Sequence, residues 1–171
     1  EPEKALQLGT EALNLYISQK DQSVIQYVYA LMATEAGIAM PNVHLFSSQK
    51  GNGYFAVKRF DREGNERLHM HTVSGLIHSN FRFPSLDYED LLSLTSFLTK
   101  DIREVEKMFR LAVFNVMAHN QDDHAKNFAF IYRDDDWHFA PAYDLLPSDG
   151  INTSINTDPS NWPAVEATPS I

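Results

Sequence analysis

The sequence predicts an α+β fold, mainly helical, with small β-hairpins. Three observations lead there. Long stretches carry apolar residues at helical spacing, most clearly from Ile102 to His119. Two pairs of short runs with strand character are joined by Gly- or Asp-rich turns. And 171 residues, 43% of them hydrophobic, are enough to bury one core without a disulfide or structural metal.

Each element has its own signal. Residues 3–19 read as a first helix, because Leu6, Leu13 and Ile17 recur with Ala5, Ala12 and Tyr16 at its period. Asp21 or Ser23 caps a second helix running to about Ala36, which Gly37 ends, with Pro41 just beyond. Val43 to Phe46 and Tyr54 to Phe60 read as a hairpin turning at Lys50-Gly51-Asn52-Gly53. Arg62-Glu63-Gly64-Asn65 is a further turn, Leu68 to Met70 is short and extended, and residues 78–86 form a loop containing Pro84. Two helices follow, Asp87 to about Thr99 and Ile102 to about His119. The latter is expected to be the central buried helix, with Val105, Met108, Phe109, Ala112, Val113, Val116 and Met117 on its apolar face. Residues 128–140 make a hairpin turning at Arg133-Asp134-Asp135-Asp136, with Trp137, Phe139 and Tyr143 packing it against that helix. The tail from Ser148 is rich in Ser, Thr, Asn and Pro and reads as loop or frayed end. The expected division is a folded core over 1–150 and a loop-like tail over 151–171.

The balance of 23 acidic against 14 basic residues gives a formal charge of −9, and no Lys/Arg block offsets it. That argues against direct nucleic-acid binding by this chain, though not against a DNA-binding partner. With no cysteine, disulfides and cysteine metal sites are excluded, which fits a reducing, cytoplasmic setting. No apolar run approaches the ~18 residues of a membrane span. The start, Glu1-Pro2-Glu3-Lys4, does not look like a signal peptide and has no initiator methionine, as expected of a processed product or an excised fragment.

The segment Asp122-Asp123-His124-Ala125-Lys126-Asn127 carries the chemistry. It lies between the apolar helical run Leu111 to Met117 and the apolar strand Phe128 to Tyr132, and Tyr143-Asp144 follows the hairpin. An aspartate, four residues, an asparagine, a hairpin and a second aspartate is the layout of kinase phosphoryl-transfer sites. Such transfer needs a carboxylate to orient the nucleophile and take its proton, which suits Asp122. It needs oxygen ligands for Mg²⁺, which suits Asn127 and Asp144, and donors facing phosphate, which suits His124 and Lys126. The spacing alone is common, and Asp, Asn and His clusters also cap helices and build turns.

In its longer stretches the chain resembles the HipA family of bacterial toxin kinases. These are Phe55-Ala56-Val57-Lys58-Arg59-Phe60-Asp61-Arg62, Phe114-Asn115-Val116, Asn120 to Phe128, and Trp137-His138-Phe139-Ala140-Pro141-Ala142-Tyr143-Asp144-Leu145, with Ala36-Gly37-Ile38 and Pro41. The resemblance implies a protein kinase-like fold, here the large lobe plus hinge, and Ser/Thr phosphorylation of proteins with ATP and Mg²⁺. It makes Asp122 the catalytic base and Asn127 and Asp144 the Mg²⁺ ligands. It also implies a toxin–antitoxin setting with a HipB-like DNA-binding antitoxin, and protein substrates such as aminoacyl-tRNA synthetases. Phe55-Ala56-Val57-Lys58 looks like the strand bearing the ATP-gripping lysine of other kinases. Yet Lys58 follows the helix ending near Gly37 instead of preceding it, so the strand matches the hinge. Backbone from Lys58 to Phe60 would meet adenine, and the Lys58 side chain reads as solvated.

The chain departs from the family at its edges. No Gly-rich phosphate loop or second strand lysine occurs in residues 1–25, Gln26 stands where the ATP-lysine's glutamate partner is usual, and family members continue well past Asp144. The chain therefore reads as the middle of such a kinase, incomplete at both ends. Two other readings stay open: a catalytically dead kinase-like interaction module, and a metal-dependent phosphoesterase using Asp122, Asp123, His124 and Asp144. His69 and His71 share a strand face but lack an evident third ligand. His119 and His138 read as helix-end and hairpin decoration, Asp134-Asp135-Asp136 as a solvated turn, and Asp123 as a turn cap.

Overall fold

The computed structural model describes residues 22–51, 53–78, 86–120 and 123–147, together with the backbone of 155–156. The expected first helix, 3–19, lies outside them. Helix α1 spans Gln22–Glu35 and buries Ile25, Val28, Tyr29, Ala30 and Ala33. It ends where the sequence says it should. Gly37 takes φ +77°, its amide reaches Thr34 O at 3.0 Å, and the Ile38 amide reaches Ala33 O at 2.9 Å. This pair of bonds closes the last turn, and the left-handed position favours glycine.

Strands β1 (Val43–Phe46) and β2 (Tyr54–Val57) pair antiparallel. Gly53 sits at φ +126°, and a Cβ there would stand 2.5 Å from Phe46 O, so the turn admits only glycine. The second strand stops at Val57, three residues short of the expected Phe60. Beyond the ladder only the Lys58 amide continues the pattern, to Asn42 O at 2.8 Å. A two-residue pair, β3 (Arg62–Glu63) with β4 (Glu66–Arg67), brackets the Gly64-Asn65 turn. Strand β5 (His69–Thr72) runs into the short helix α2 (Val73–Leu76), capped by Thr72.

Helices α3 (Tyr88–Thr99) and α4 (Ile102–Met117) form an antiparallel pair joined by Lys100-Asp101. Asp87 opens α3 with a reciprocal capping box to Asp90, and Lys100 closes it in the left-handed region. Asp101 caps α4 by accepting the Arg103 amide at 2.9 Å. The buried face of α4 is Glu104, Met108, Leu111, Ala112, Phe114 and Asn115. It is turned from the expected stripe: Phe109 and Met117 are 56% and 77% exposed, and Val113 also faces out. Apolar residues occur on both sides of this helix, so periodicity alone picks the wider stripe. The side that packs is the one whose polar members, Glu104 and Asn115, find partners.

Strands β7 (Ala129–Arg133) and β8 (Asp136–Phe139) form the predicted hairpin, and β5 completes the sheet in the order β5-β7-β8, all antiparallel. Asp134 and Asp135 both have positive φ, 55° and 62°, as a two-residue primed turn requires. The sheet is covered on both faces. Phe128, Phe130 and Phe139 enter the main core with α1, α3 and α4. Ala129, Ile131 and Ala140 face a smaller cluster with Phe60, Leu68, Met70 and Tyr143. Tyr143 thus packs on the side away from α4, not against it as expected. Leu86–Asp87 (β6) pairs parallel with Ile155–Asn156 (β9), so part of the tail expected to be loop-like is bridged to the start of α3. No helix among the described residues is long and apolar enough to cross a membrane.

Candidate active site

Asp122, the expected base, lies outside the described residues; the segment is described from Asp123 onward. Asp123, expected to cap a turn, is buried and has a partner far away in the sequence. It is 1% exposed, and its Oδ2 accepts the Tyr88 hydroxyl at 2.5 Å. Asn115 Nδ2 donates to the same Tyr88 oxygen at 3.1 Å, and Asn120 Nδ2 donates to Asn115 Oδ1 at 3.0 Å. Burial, then the Asp123 charge, pushes the Tyr88 hydroxyl far above its ordinary pKa, so it stays a donor.

His124 is extended and precedes a single 3₁₀ turn, Ala125–Asn127, whose closing bond runs from the Asn127 amide to His124 O at 2.7 Å. Buried Ala125 and Phe128 anchor the turn on either side of exposed Lys126. Asn127 is 8% exposed. The hairpin ladder ends with the Ala140 amide on Ala129 O at 2.9 Å. Asn127, just before β7, and Asp144, after β8, therefore leave the hairpin at the same end. Tyr143 ties the two segments together, its hydroxyl donating to Lys126 O at 2.7 Å. Burial, then the neighbouring Asp144 charge, raises its pKa. Asp144 is exposed and left-handed at φ 58°. A non-glycine residue held there stores backbone strain of about 1 kcal/mol or more, and such positions gather at functional sites.

The stretch expected to act as a hinge reaches the same place through one residue. The Phe60 ring lies 5.4 Å from that of Tyr143. Lys58 is exposed and contributes its backbone amide to Asn42 O. The fold therefore brings the Phe60 ring and the Lys126 carbonyl to Tyr143, the residue before Asp144, and leaves Lys58 exposed. His69 and His71 share a face with ring centroids 6.4 Å apart. Among the described residues no three His, Asp or Glu side chains converge as a metal site. Sequence reasoning missed Tyr88 and gave no role to Asn115 or Asn120, although both lie in stretches that carry the resemblance. A further signal was an asparagine within the apolar run Leu111 to Met117, a placement costly unless its amide is bonded.

A profile of the HipA-like C-terminal domain matches residues 12–167. This chain belongs to that family. The HipA-like domain also has a solved structural neighbour, a chain in the Shewanella oneidensis MR-1 toxin–antitoxin complex of HipA, HipB and operator DNA. The TM-score is 0.65 at 17% identity, over 80% of this chain and 38% of that one. At that identity the likeness speaks to fold, and the HipA-like domain spans well under half the neighbour's length. Comparison with curated proteins gave no match.

Proposed function

We propose that this HipA-like domain carries the catalytic segment of a Ser/Thr protein kinase. It would transfer the γ-phosphate of ATP to a protein hydroxyl, in a toxin restrained by a HipB-like DNA-binding antitoxin. One observation carries the reading. The Phe60 ring on Tyr143, and the Tyr143 hydroxyl on Lys126 O, join the hinge stretch, the Asn127 turn and Asp144 into one cluster. A set of turn-capping residues scattered along a surface would not need that convergence.

The donor set fits the expected cation. Asn127 offers an amide oxygen and Asp144 a carboxylate, the hard oxygen ligands that Mg²⁺ takes. Bound there, Mg²⁺ would neutralise charge on the phosphates. The chain's own residues do the rest. Asp122 orients the acceptor hydroxyl and takes its proton as the new O–P bond forms and the bond from the γ-phosphorus to the bridging oxygen breaks, with ADP leaving. Lys126, exposed beside the buried Asn127, donates to phosphate oxygens, as does His124. Backbone from Lys58 to Phe60 meets the adenine edge, with the Phe60 side chain fixed by Tyr143. The phosphoesterase alternative is disfavoured because Asp123 is buried with its Oδ2 engaged by Tyr88.

The test follows label from γ-labelled ATP into protein, with Mg²⁺, for the wild type and Asp122→Asn in the longer protein containing this domain. Loss of a general base predicts a fall of about 100- to 10,000-fold. Full activity in Asp122→Asn would remove the assignment of the base. No transfer by the wild type, with no Mg²⁺-dependent ATP binding by calorimetry, would favour the inactive interaction module, for which Gln26 is the motive.

A further inference from the structure

We infer that Tyr88 is a positioning residue for the 123–127 segment, acting through Asp123; the catalytic part of this inference rests on the kinase reading above. Four polar side chains from three elements converge beneath that segment. Tyr88 is the first residue of α3, Asn115 lies near the end of α4, Asn120 follows the left-handed His119, and Asp123 opens the segment itself. All four are at most 8% exposed.

A packed core does not ask for such a set. Each buried amide or carboxylate costs free energy that only its hydrogen bonds offset, and an apolar side chain at 115 would fill the same space. The links also run in one direction. Asn120 Nδ2 donates to Asn115, Asn115 Nδ2 to Tyr88, and the Tyr88 hydroxyl to Asp123. Donors aligned head to tail polarise one another and strengthen the last link. That link, at 2.5 Å to a carboxylate, is of the short charge-assisted kind. It ends on the residue from which the His124–Asn127 turn departs. The Asp87 capping box sets where α3 begins, and Tyr88 is the first residue after it. The rigid pair α3–α4 thereby dictates where the turn bearing Lys126 and Asn127 begins.

The decisive variant is Tyr88→Phe, which removes one oxygen and keeps the ring. Loss of alignment of about 1 Å at a reacting centre can lower turnover on the order of 100-fold. In the transfer assay Tyr88→Phe should lower kcat by about 10- to 100-fold while KM for ATP stays within about twofold. In the 171-residue chain, amide exchange at Asn127, whose N–H is bonded to His124 O, should accelerate about tenfold or more relative to the core amides of α4. Unchanged kcat together with unchanged Asn127 exchange overturns the inference. The two readings fail separately. If wild type and Asp122→Asn both lack transfer, the kinase reading falls, and the exchange experiment alone decides the role of Tyr88. Should Tyr88→Phe not fold, Asp123→Asn, which keeps an oxygen acceptor for Tyr88, should hold Asn127 protection within about twofold, and Asp123→Ala should lose about tenfold. Equal protection in those two variants also overturns it.

Discussion

The two ends of α4 both bury polar side chains, and they do so by different means. At the N-terminal end Glu104 is met by a cation and a backbone amide, Lys107 Nζ at 2.6 Å and the Phe139 N–H at 3.0 Å. His138 Nδ1 lies 3.8 Å from the same carboxylate. The Phe139 and His138 contacts clamp the β7–β8 hairpin to the helix. At the C-terminal end the partners of Asn115 are side chains, and they carry the chain of bonds off the helix to Asp123. Buried polarity at one end builds scaffold; at the other it sets where a loop begins. The α4 face that holds both is specified by these contacts as much as by apolar periodicity.

The largest expected effect tests that shared face. Met108→Ala should cost about 2–5 kcal/mol, whereas its neighbour Phe109→Ala should change stability by only about 0.5 kcal/mol, because Met108 is 0% and Phe109 56% exposed. Urea unfolding of both variants checks it, and similar losses would mean the helix face is misplaced. Next comes the polarity itself. Asn115→Leu leaves Tyr88 and Asn120 short of a partner and should destabilise by about 1–3 kcal/mol. Glu104→Gln keeps an acceptor for the Phe139 amide and should cost less, about 1 kcal/mol. The reverse order would dissolve the distinction between the two ends.

The smallest effect lies just outside the buried face, at the cap of α4. The Arg103 side chain, then its amide, holds the Asp101 carboxyl at about 2, below its ordinary 3.8. A folded pKa below the unfolded one means its stabilising contribution is present above pH 3.8 and is lost as pH falls towards about 2. Arg103→Ala should move the Asp101 titration, followed by carboxyl NMR, back toward the ordinary value. Arg103 is exposed and Asp101 half-buried at the surface, so added salt should weaken the shift. A titration indifferent to both changes would show that the cap alone sets it.

Much of the helical frame was legible because its signals are local. Gly37, Asp87 and Asp101 stop or start helices through bonds to residues two or three positions away. The hairpin at Asp134-Asp135 was legible for the same reason. The faces of α4 and the fate of Asp123 were not. Asn115 is placed by Tyr88, 27 residues back, and Asp123 by the same phenol across 35 residues. No periodicity within α4 reports a partner on another element. Of the candidate site, residue types and order could be read directly. The gathering of Phe60 and Asp144 around Tyr143 could not, because Tyr143 was expected on the opposite face of the sheet.

The bond from the Tyr29 hydroxyl to Ala118 O, 2.7 Å across 89 positions, has a kinetic consequence. The α3–α4 pair closes through a two-residue connection and needs little chain ordering. Bringing α1 onto the end of α4 means closing a far longer loop before any contact offsets the lost entropy. The platform beneath residues 123–127 should therefore assemble early, and its lateral brace late.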